Sequence, residues 1–301
     1  MFILKHALIM KIAVIGKPLK EDVLPYVRRL FDVLLRQGVA VLVSDNFAEL
    51  LEQHMVLPPQ LEVFTRETSL QDVNYMLSLG GDGTLLEAVT YVGPLQIPIL
   101  GINMGRLGFL ATVPYAQIDA ALDLLLRGQY TLDERSLIHL DSDQDVFNGI
   151  NFGLNEFSIL KRDSSSMIAV HTYIDGEFLN SYWADGLVVA TPTGSTGYSL
   201  SCGGPVMMPQ TNNFVISPVC PHNLNVRPLI VSDQSVISFE IEGRSTRYLV
   251  SLDSRSRPVD ASIQLSVRRE DFKVRLIKLD QVNFLTTLRN KMHWGLDQRN
   301  G

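Results

Sequence analysis

The sequence predicts a parallel α/β domain followed by a β-rich, sandwich-like domain, with a C-terminal helix that packs back on the first. Three observations carry this expectation. From Lys11 to Gly128, short β-branched runs alternate with stretches whose apolar residues recur at helical spacing, the pattern of a parallel sheet covered on both faces. After Asp133 that spacing gives way to closely set runs of β-forming residues separated by turn residues, as in layered antiparallel domains. From Phe284 to Trp294, helical spacing returns through Leu285, Leu288 and Met292. The expected domains are 10–133 with 280–301, and 134–279.

Taken in order, Lys11-Ile12-Ala13-Val14-Ile15-Gly16 is a strand, and Val23, Val27, Leu30, Phe31, Leu34 and Leu35 mark an amphipathic helix that Gly38 closes. Val39 to Val43 is a second strand, Phe47 to His54 a short helix, and Tyr75 to Leu79 a buried strand. Pro98 to Asn103 is another strand, and Pro114 to Leu126 a helix closed by Gly128. This order is Rossmann-like, and in such sheets ligands bind beyond the carboxyl ends of the strands. Gly80 to Thr84 and Asn103 to Phe109 both lie at such ends. The second half reads as strands at Ile138 to Asp141, Gly153 to Leu160, Met167 to Ile174 and Glu177 to Trp183, with Asp175-Gly176 as a hairpin turn. Further strands are expected at Phe214 to Val219, Ser235 to Ile241, Tyr248 to Leu252, Ser262 to Val267 and Phe272 to Leu279.

The chain has 301 residues, is 46% hydrophobic and 19% charged, and so has material for two cored domains. A net charge of -6 argues against a general nucleic-acid or anionic-membrane surface, so any phosphate site must be local. Two cysteines, Cys202 and Cys220, form no metal or redox spacing and read as small packing residues of a reducing compartment. The run before Met10 is broken by Lys5 and His6 and reads as a loose tail, with translation starting at Met10. No stretch approaches the ~20 apolar residues of a membrane span, and a cytoplasmic location is expected.

Chemistry concentrates at Gly80-Gly81-Asp82-Gly83-Thr84, where a strand gives way to the helical run Leu85 to Val89. Its glycines expose amides without side chains in the way, and a helix N-terminus with unpaired N–H groups favours anions. Thr84 and Glu87 have capping-box spacing, which predicts Thr84 as the N-cap. Asp82 stands out, because a carboxylate beside phosphate is repelled unless it handles a proton or a metal. As a bare pentapeptide the turn also fits an ordinary strand-to-helix connection, with Asp82 as a turn residue.

Further on come Asn155-Glu156, Ala184-Asp185-Gly186, a hydroxyl- and glycine-rich stretch from Thr191-Pro192-Thr193-Gly194-Ser195-Thr196 to Pro205, and Pro221-His222-Asn223-Leu224-Asn225-Val226-Arg227-Pro228-Leu229. In this order and rough spacing the motifs resemble those of the NAD kinase family, from about Met10 to Trp294. The Thr191 to Pro205 stretch is specific to that family, whereas the glycine turn is shared with lipid kinases. The resemblance implies that Asp82 takes the proton from the 2′-hydroxyl of the adenosine ribose of NAD. It also implies that Gly80, Gly81, Gly83 and Thr84 line the phosphates of ATP, with Asp82 and Gly83 also touching NAD. Phe109, Asn155, Glu156, Asp185, Thr196, Gly197, Tyr198, Ser199 and Ser201 are the further NAD contacts it implies. ATP and NAD as substrates, a divalent metal such as Mg2+ with no assigned protein ligands, and a homo-oligomer are implied likewise. No Walker lysine is present, so charge neutralisation falls to metal, amides and arginines such as Arg106.

Three positions depart from the family pattern. Gly197 replaces an alanine, Trp183 a basic residue, and Asp253-Ser254-Arg255 the commoner Asp-Gly-Gln, so no binding role is carried onto Asp253. The competing readings are a lipid kinase of the diacylglycerol kinase type, which leaves Thr191 to Pro205 unused, and a non-catalytic dinucleotide sensor, which leaves Asp82 without purpose.

Overall fold

A computed structural model describes residues 9–18, 20–162, 167–223, 225–243, 247–279 and 283–292. Residues 1–8 of the expected tail, the Leu224 position of its motif and the last two residues of the expected C-terminal helix lie outside these. The chain divides into two compact units, Met1–Asp133 with Arg275–Gly301, and Glu134–Val274.

In the first unit the β-branched runs become a mainly parallel sheet, ordered Glu62–Phe64, Ala40–Ser44, Lys11–Gly16, Tyr75–Gly80, Ile99–Asn103, Val274–Lys278 and Thr131–Arg135, with Val113–Pro114 beside Ile99–Asn103. Strand burial is near-continuous rather than alternating, because both faces are covered. Ile12, Val14, Val41, Val43, Leu77 and Leu100 form one core with Val27, Leu30, Phe31, Phe47 and Leu122 from the helices Leu24–Arg36, Asp45–Glu52 and Ile118–Leu126. Gly38 and Gly128, at φ of 72 and 68, follow two of these helices as expected. Helix Asp82–Val92 packs against strands Tyr75–Gly80 and Ile99–Asn103. The strand order reverses between Lys11–Gly16 and Tyr75–Gly80, the position where such sheets hold ligands, and the glycine turn leaves from there.

One strand was expected in the wrong domain. Val274–Lys278, inside the expected run Phe272 to Leu279, joins the parallel sheet beside Ile99–Asn103, so the chain returns to the first unit at Arg275 rather than 280. Its mix of buried and half-buried residues resembles the antiparallel strands before it, and pattern alone does not say which sheet a strand completes.

The second unit contains two six-stranded sheets. One runs Leu229–Ser232, Asn213–Val219, Gly186–Ala190, Glu156–Lys161, Arg247–Leu252 and Arg255–Asp260; the other runs Glu177–Ala184, Ile168–Ile174, Ile237–Glu242, Leu265–Arg269, Ile138–Ser142 and Phe152–Gly153. A common core joins Phe157, Ile159, Leu187 and Tyr248 of the first to Val170, Ile237, Phe239 and Val267 of the second, with the Phe157 and Phe239 rings 5.6 Å apart. This is the expected sandwich. Asp175 and Gly176 turn the hairpin at φ of 53 and 84. Behind the first sheet, Val188, Ala190 and Val215 pack with Met207. Gly186–Ala190 is therefore buried on both faces. Cys202 is half-buried, but Cys220 is exposed at φ 46, so the packing role expected for it does not hold.

Candidate functional site

The glycine turn differs from its expected cap. The helix begins at Asp82 with Gly81 as N-cap, and no side chain caps it. Thr84 is the third helical residue, buried, its side chain folded toward Gly80, and Glu87 pairs with Lys17 instead of folding back. Thr84 and Leu85 donate their amides to the Gly81 carbonyl, so the helix starts earlier than the Thr84 to Glu87 spacing implies. Gly81 and Gly83 are exposed, with open space where a Cβ would stand. First-turn amides of a helix commonly lack an intrahelical acceptor, which suits an anion, although at this turn the Thr84 amide is spent on the Gly81 carbonyl.

Asp82 is held from the loop that follows strand Ile99–Asn103. Its Oδ1 accepts the amides of Leu110 at 2.9 Å and Ala111 at 3.0 Å, and its Oδ2 accepts that of Phe109 at 2.8 Å. Two residues build this cup. Asn103, buried at the strand end, donates Nδ2 to the Arg106 and Ala111 carbonyls and accepts the Gly105 amide, folding the loop over. Gly108 is the other, because a Cβ there would collide with the Asp82 carboxylate. Arg106 is exposed. Lys291, from helix Phe284–Met292, brings its Nζ to 3.6 Å from Asp82 Oδ2 and 4.7 Å from the centre of the Phe109 ring.

In the second unit an unassigned residue does the corresponding work. The Asp253 carboxylate accepts the amides of Leu154 at 2.8 Å, Asn155 at 2.7 Å and Glu156 at 3.2 Å. Thr191 joins this loop to the hydroxyl-rich stretch, donating its amide to the Asn155 carbonyl and its Oγ1 to that of Leu154, and accepting the Gly194 amide. Gly194 lies so close to the Asn155 backbone that a Cβ would overlap it. Much of the hydroxyl content is thus spent internally. Ser195 bonds the Pro192 carbonyl and the Met207 amide, Thr196 the Thr193 carbonyl, and Ser199, fully buried, the Ser217 hydroxyl. Tyr198 and Ser201 are exposed, Gly197 half-buried, and Asp185 pairs with Lys161 at 2.6 Å. Asn155 Oδ1 and Glu156 Oε2 are buried and have no partner.

Burial pushes the Glu156 carboxyl up to about 8, the neighbouring Asp253 pushes it the same way, and the Tyr198 backbone N–H pulls it partly back. Asp253 is itself raised by burial, against its three amides and Arg255. A carboxyl raised in the fold keeps a proton that the unfolded chain has released. Its contribution is therefore fully present below the ordinary value of 4.5 and is lost as pH climbs through about 8. Glu156→Gln is expected to flatten the fall of melting temperature across that window and to melt above the parent at higher pH. Thermal unfolding followed at several pH values checks this, and an unchanged slope would assign the proton to another group.

Two family models match the chain: the ATP-NAD kinase N-terminal domain over residues 12–130 and the ATP-NAD kinase C-terminal domain over 154–279. An NAD kinase of Cytophaga hutchinsonii is 56% identical over 286 residues, covering 95% of this chain and 98% of that protein. An NAD kinase of Bacteroides fragilis is 40% identical over 290 residues, covering 96% and 100%. Among solved structures, yeast NADH kinase complexed with NADH aligns with TM-score 0.85 at 25% identity, over 97% of this chain and 90% of that one. An Archaeoglobus fulgidus NAD kinase in complex with ATP aligns with TM-score 0.71 at 25% identity, over 94% and 98%.

Proposed function

The chain belongs to the ATP-NAD kinase family, and from that premise we infer that it transfers the γ-phosphoryl group of ATP to the 2′-hydroxyl of the adenosine ribose of NAD, with Asp82 as general base. The observation that carries this reading is the Asp82 cup. An ionised carboxylate has about four lone-pair positions. Two on Oδ1 and one on Oδ2 are taken by amides, which leaves one on Oδ2 for a substrate hydroxyl. The ribose oxygen bonds to the γ-phosphorus while the bond from that phosphorus to the oxygen bridging the β-phosphate breaks. ADP leaves, NADP forms, and the hydroxyl proton passes to Oδ2. Because the carboxylate is already fixed, little reorganisation remains for the moment of reaction.

The exposed turn at Gly81 and Gly83, with Gly80 and Thr84 beneath it, suits the ATP phosphates, and Phe109 offers NAD a ring. In the second unit, the partnerless Asn155 Oδ1 and Glu156 Oε2 suit ribose hydroxyls, and a carboxyl kept protonated donates as well as accepts. Asp185, Thr196, Gly197, Tyr198 and Ser201 complete the set, while Ser199, fully buried with its hydroxyl on Ser217 and its carbonyl on the Cys202 and Gly204 amides, supports the stretch from within.

The chain's own donors do not fit a cage for the magnesium ion that the family implies: among the described residues no three His, Cys, Asp or Glu side chains converge. Magnesium commonly keeps its waters and travels with substrate phosphates, and the proton step needs only Asp82. A homo-oligomer and a cytoplasmic location remain part of the proposal, checked by light scattering and fractionation; among the described residues no helix is long and apolar enough to cross a membrane. The test is purified protein with ATP, magnesium and NAD, read by a strictly NADP-dependent dehydrogenase. NADP formation is expected; NAD binding without NADP under any donor would overturn the reading in favour of a sensor.

A further inference from the structure

Phosphoryl transfer needs positive charge near the transferring group. The glycine turn contains no lysine or arginine, and Arg106, on the loop that cups Asp82, is exposed. Lys17 pairs with Glu87 a turn further along the helix, whereas the cation that reaches Asp82 comes from the other end of the chain. Helix Phe284–Met292 places Phe284, Leu288 and Lys291 at i, i+4 and i+7, which is one helix face. All three positions are committed inward or to the loop. Leu288 is buried, the Phe284 ring stands 6.1 Å from that of Phe109, and Lys291 lies over the Phe109 ring. Leu285, off this face, is exposed.

Lys291 is not simply a surface partner of an acid. Its Nζ lies 3.6 Å from Oδ2, an ion-pair distance but longer than a hydrogen bond, and Oδ2 is the oxygen with a lone-pair position still open. The ring beneath the ammonium fixes its place, since a cation over an aromatic face is attracted to it. An ammonium has three donors and no acceptor. Held here without a hydrogen bond to Asp82, it keeps donors free for phosphate oxygens while its charge stabilises the carboxylate beside it.

We propose that Lys291 is a positioning cation of the phosphoryl-transfer site, set on Phe109 by the C-terminal helix so that it steadies Asp82 Oδ2 and supplies the positive charge the glycine turn lacks. The proposal rests on the reading of Asp82 as the base. It gives the last helix a function that its short length and late position do not suggest, and it gives Phe109 a second task as the platform for the ammonium.

The test compares Lys291→Met, Lys291→Arg and Asp82→Asn in the full-length protein, measuring kcat, KM for ATP and for NAD, NAD binding and thermal melting, with and without added propylamine. Lys291→Met is expected to lower kcat by about a hundredfold, the scale of one preorganised charge donor. Its NAD affinity and melting temperature should stay near the parent's, propylamine should restore part of the lost rate, and Lys291→Arg should retain most of it. Turnover of Lys291→Met near the parent's, with Asp82→Asn inactive, overturns the role of Lys291 alone. Parental turnover in both variants overturns the reading of Asp82. If Lys291→Met instead loses fold and NAD binding together and propylamine restores nothing, Lys291 is a packing residue and the proposal falls.

Discussion

Asp82→Asn is expected to lose about a hundred- to ten-thousandfold in kcat, the contribution of a positioned general base, while still binding NAD. The environment of the side chain adds a second expectation. An amide side chain has one acceptor oxygen and one donor nitrogen where the carboxylate has two acceptors. With Oδ1 kept toward Leu110 and Ala111, the new NH2 group faces the Phe109 N–H, which is then left without an acceptor. Leaving such a donor unpaired costs roughly 1–3 kcal/mol. The variant should therefore melt measurably below the parent as well as turn over slowly. NADP formation and a thermal scan on the same preparation read both effects. Near-normal turnover would remove Asp82 from the mechanism, and a slow variant with unchanged melting would show that the loop finds another way to satisfy its amides.

Asp253→Ala is expected to have the larger effect on stability. Asp253 sits at φ 52, a left-handed conformation that aspartate tolerates, and accepts three consecutive amides of the Leu154–Glu156 loop. Removing its carboxylate strands those donors together, a loss of roughly 3 kcal/mol or more. It would also remove the charge that helps to raise Glu156, so the pH dependence assigned to that residue should weaken in the same variant. Chemical denaturation gives the first quantity and its repetition across pH the second. A loss below roughly 1 kcal/mol would mean that the loop is held mainly by Thr191 and the strands around it.

The fold was legible where periodicity is strong. Lys11–Gly16 matches its expected bounds, and the helices of the first unit are recovered because their apolar faces repeat over several turns. Some edge and short strands are not legible: Glu62–Phe64 is only three residues long, Leu229–Ser232 is an apolar run that the fold leaves largely exposed, and Arg255–Asp260 is a charged run with no core pattern. At the site, residue type announced Asp82 and Asn155-Glu156, but their supports were silent. Asn103 reads as a strand end, Asp253 as a turn acid in a departing motif, and Lys291 as a basic residue in the last turn of a helix. Each acquires meaning only through a partner far off in sequence, with 209 positions separating Lys291 from Asp82 and 98 separating Asp253 from Asn155.

The two units share a device: in each, an aspartate side chain fills a bowl of three successive amides, Asp82 against Phe109–Ala111 and Asp253 against Leu154–Glu156. Bowls of this kind are natural traps for small free anions. Here each is already filled by a tethered carboxyl group, whose local concentration no dissolved phosphate or sulfate can match. An enzyme that handles nucleotide phosphates thus closes off two places where inorganic phosphate could lodge. The helix start at Gly81 and Gly83, with open space where a Cβ would stand, is filled by no such side chain.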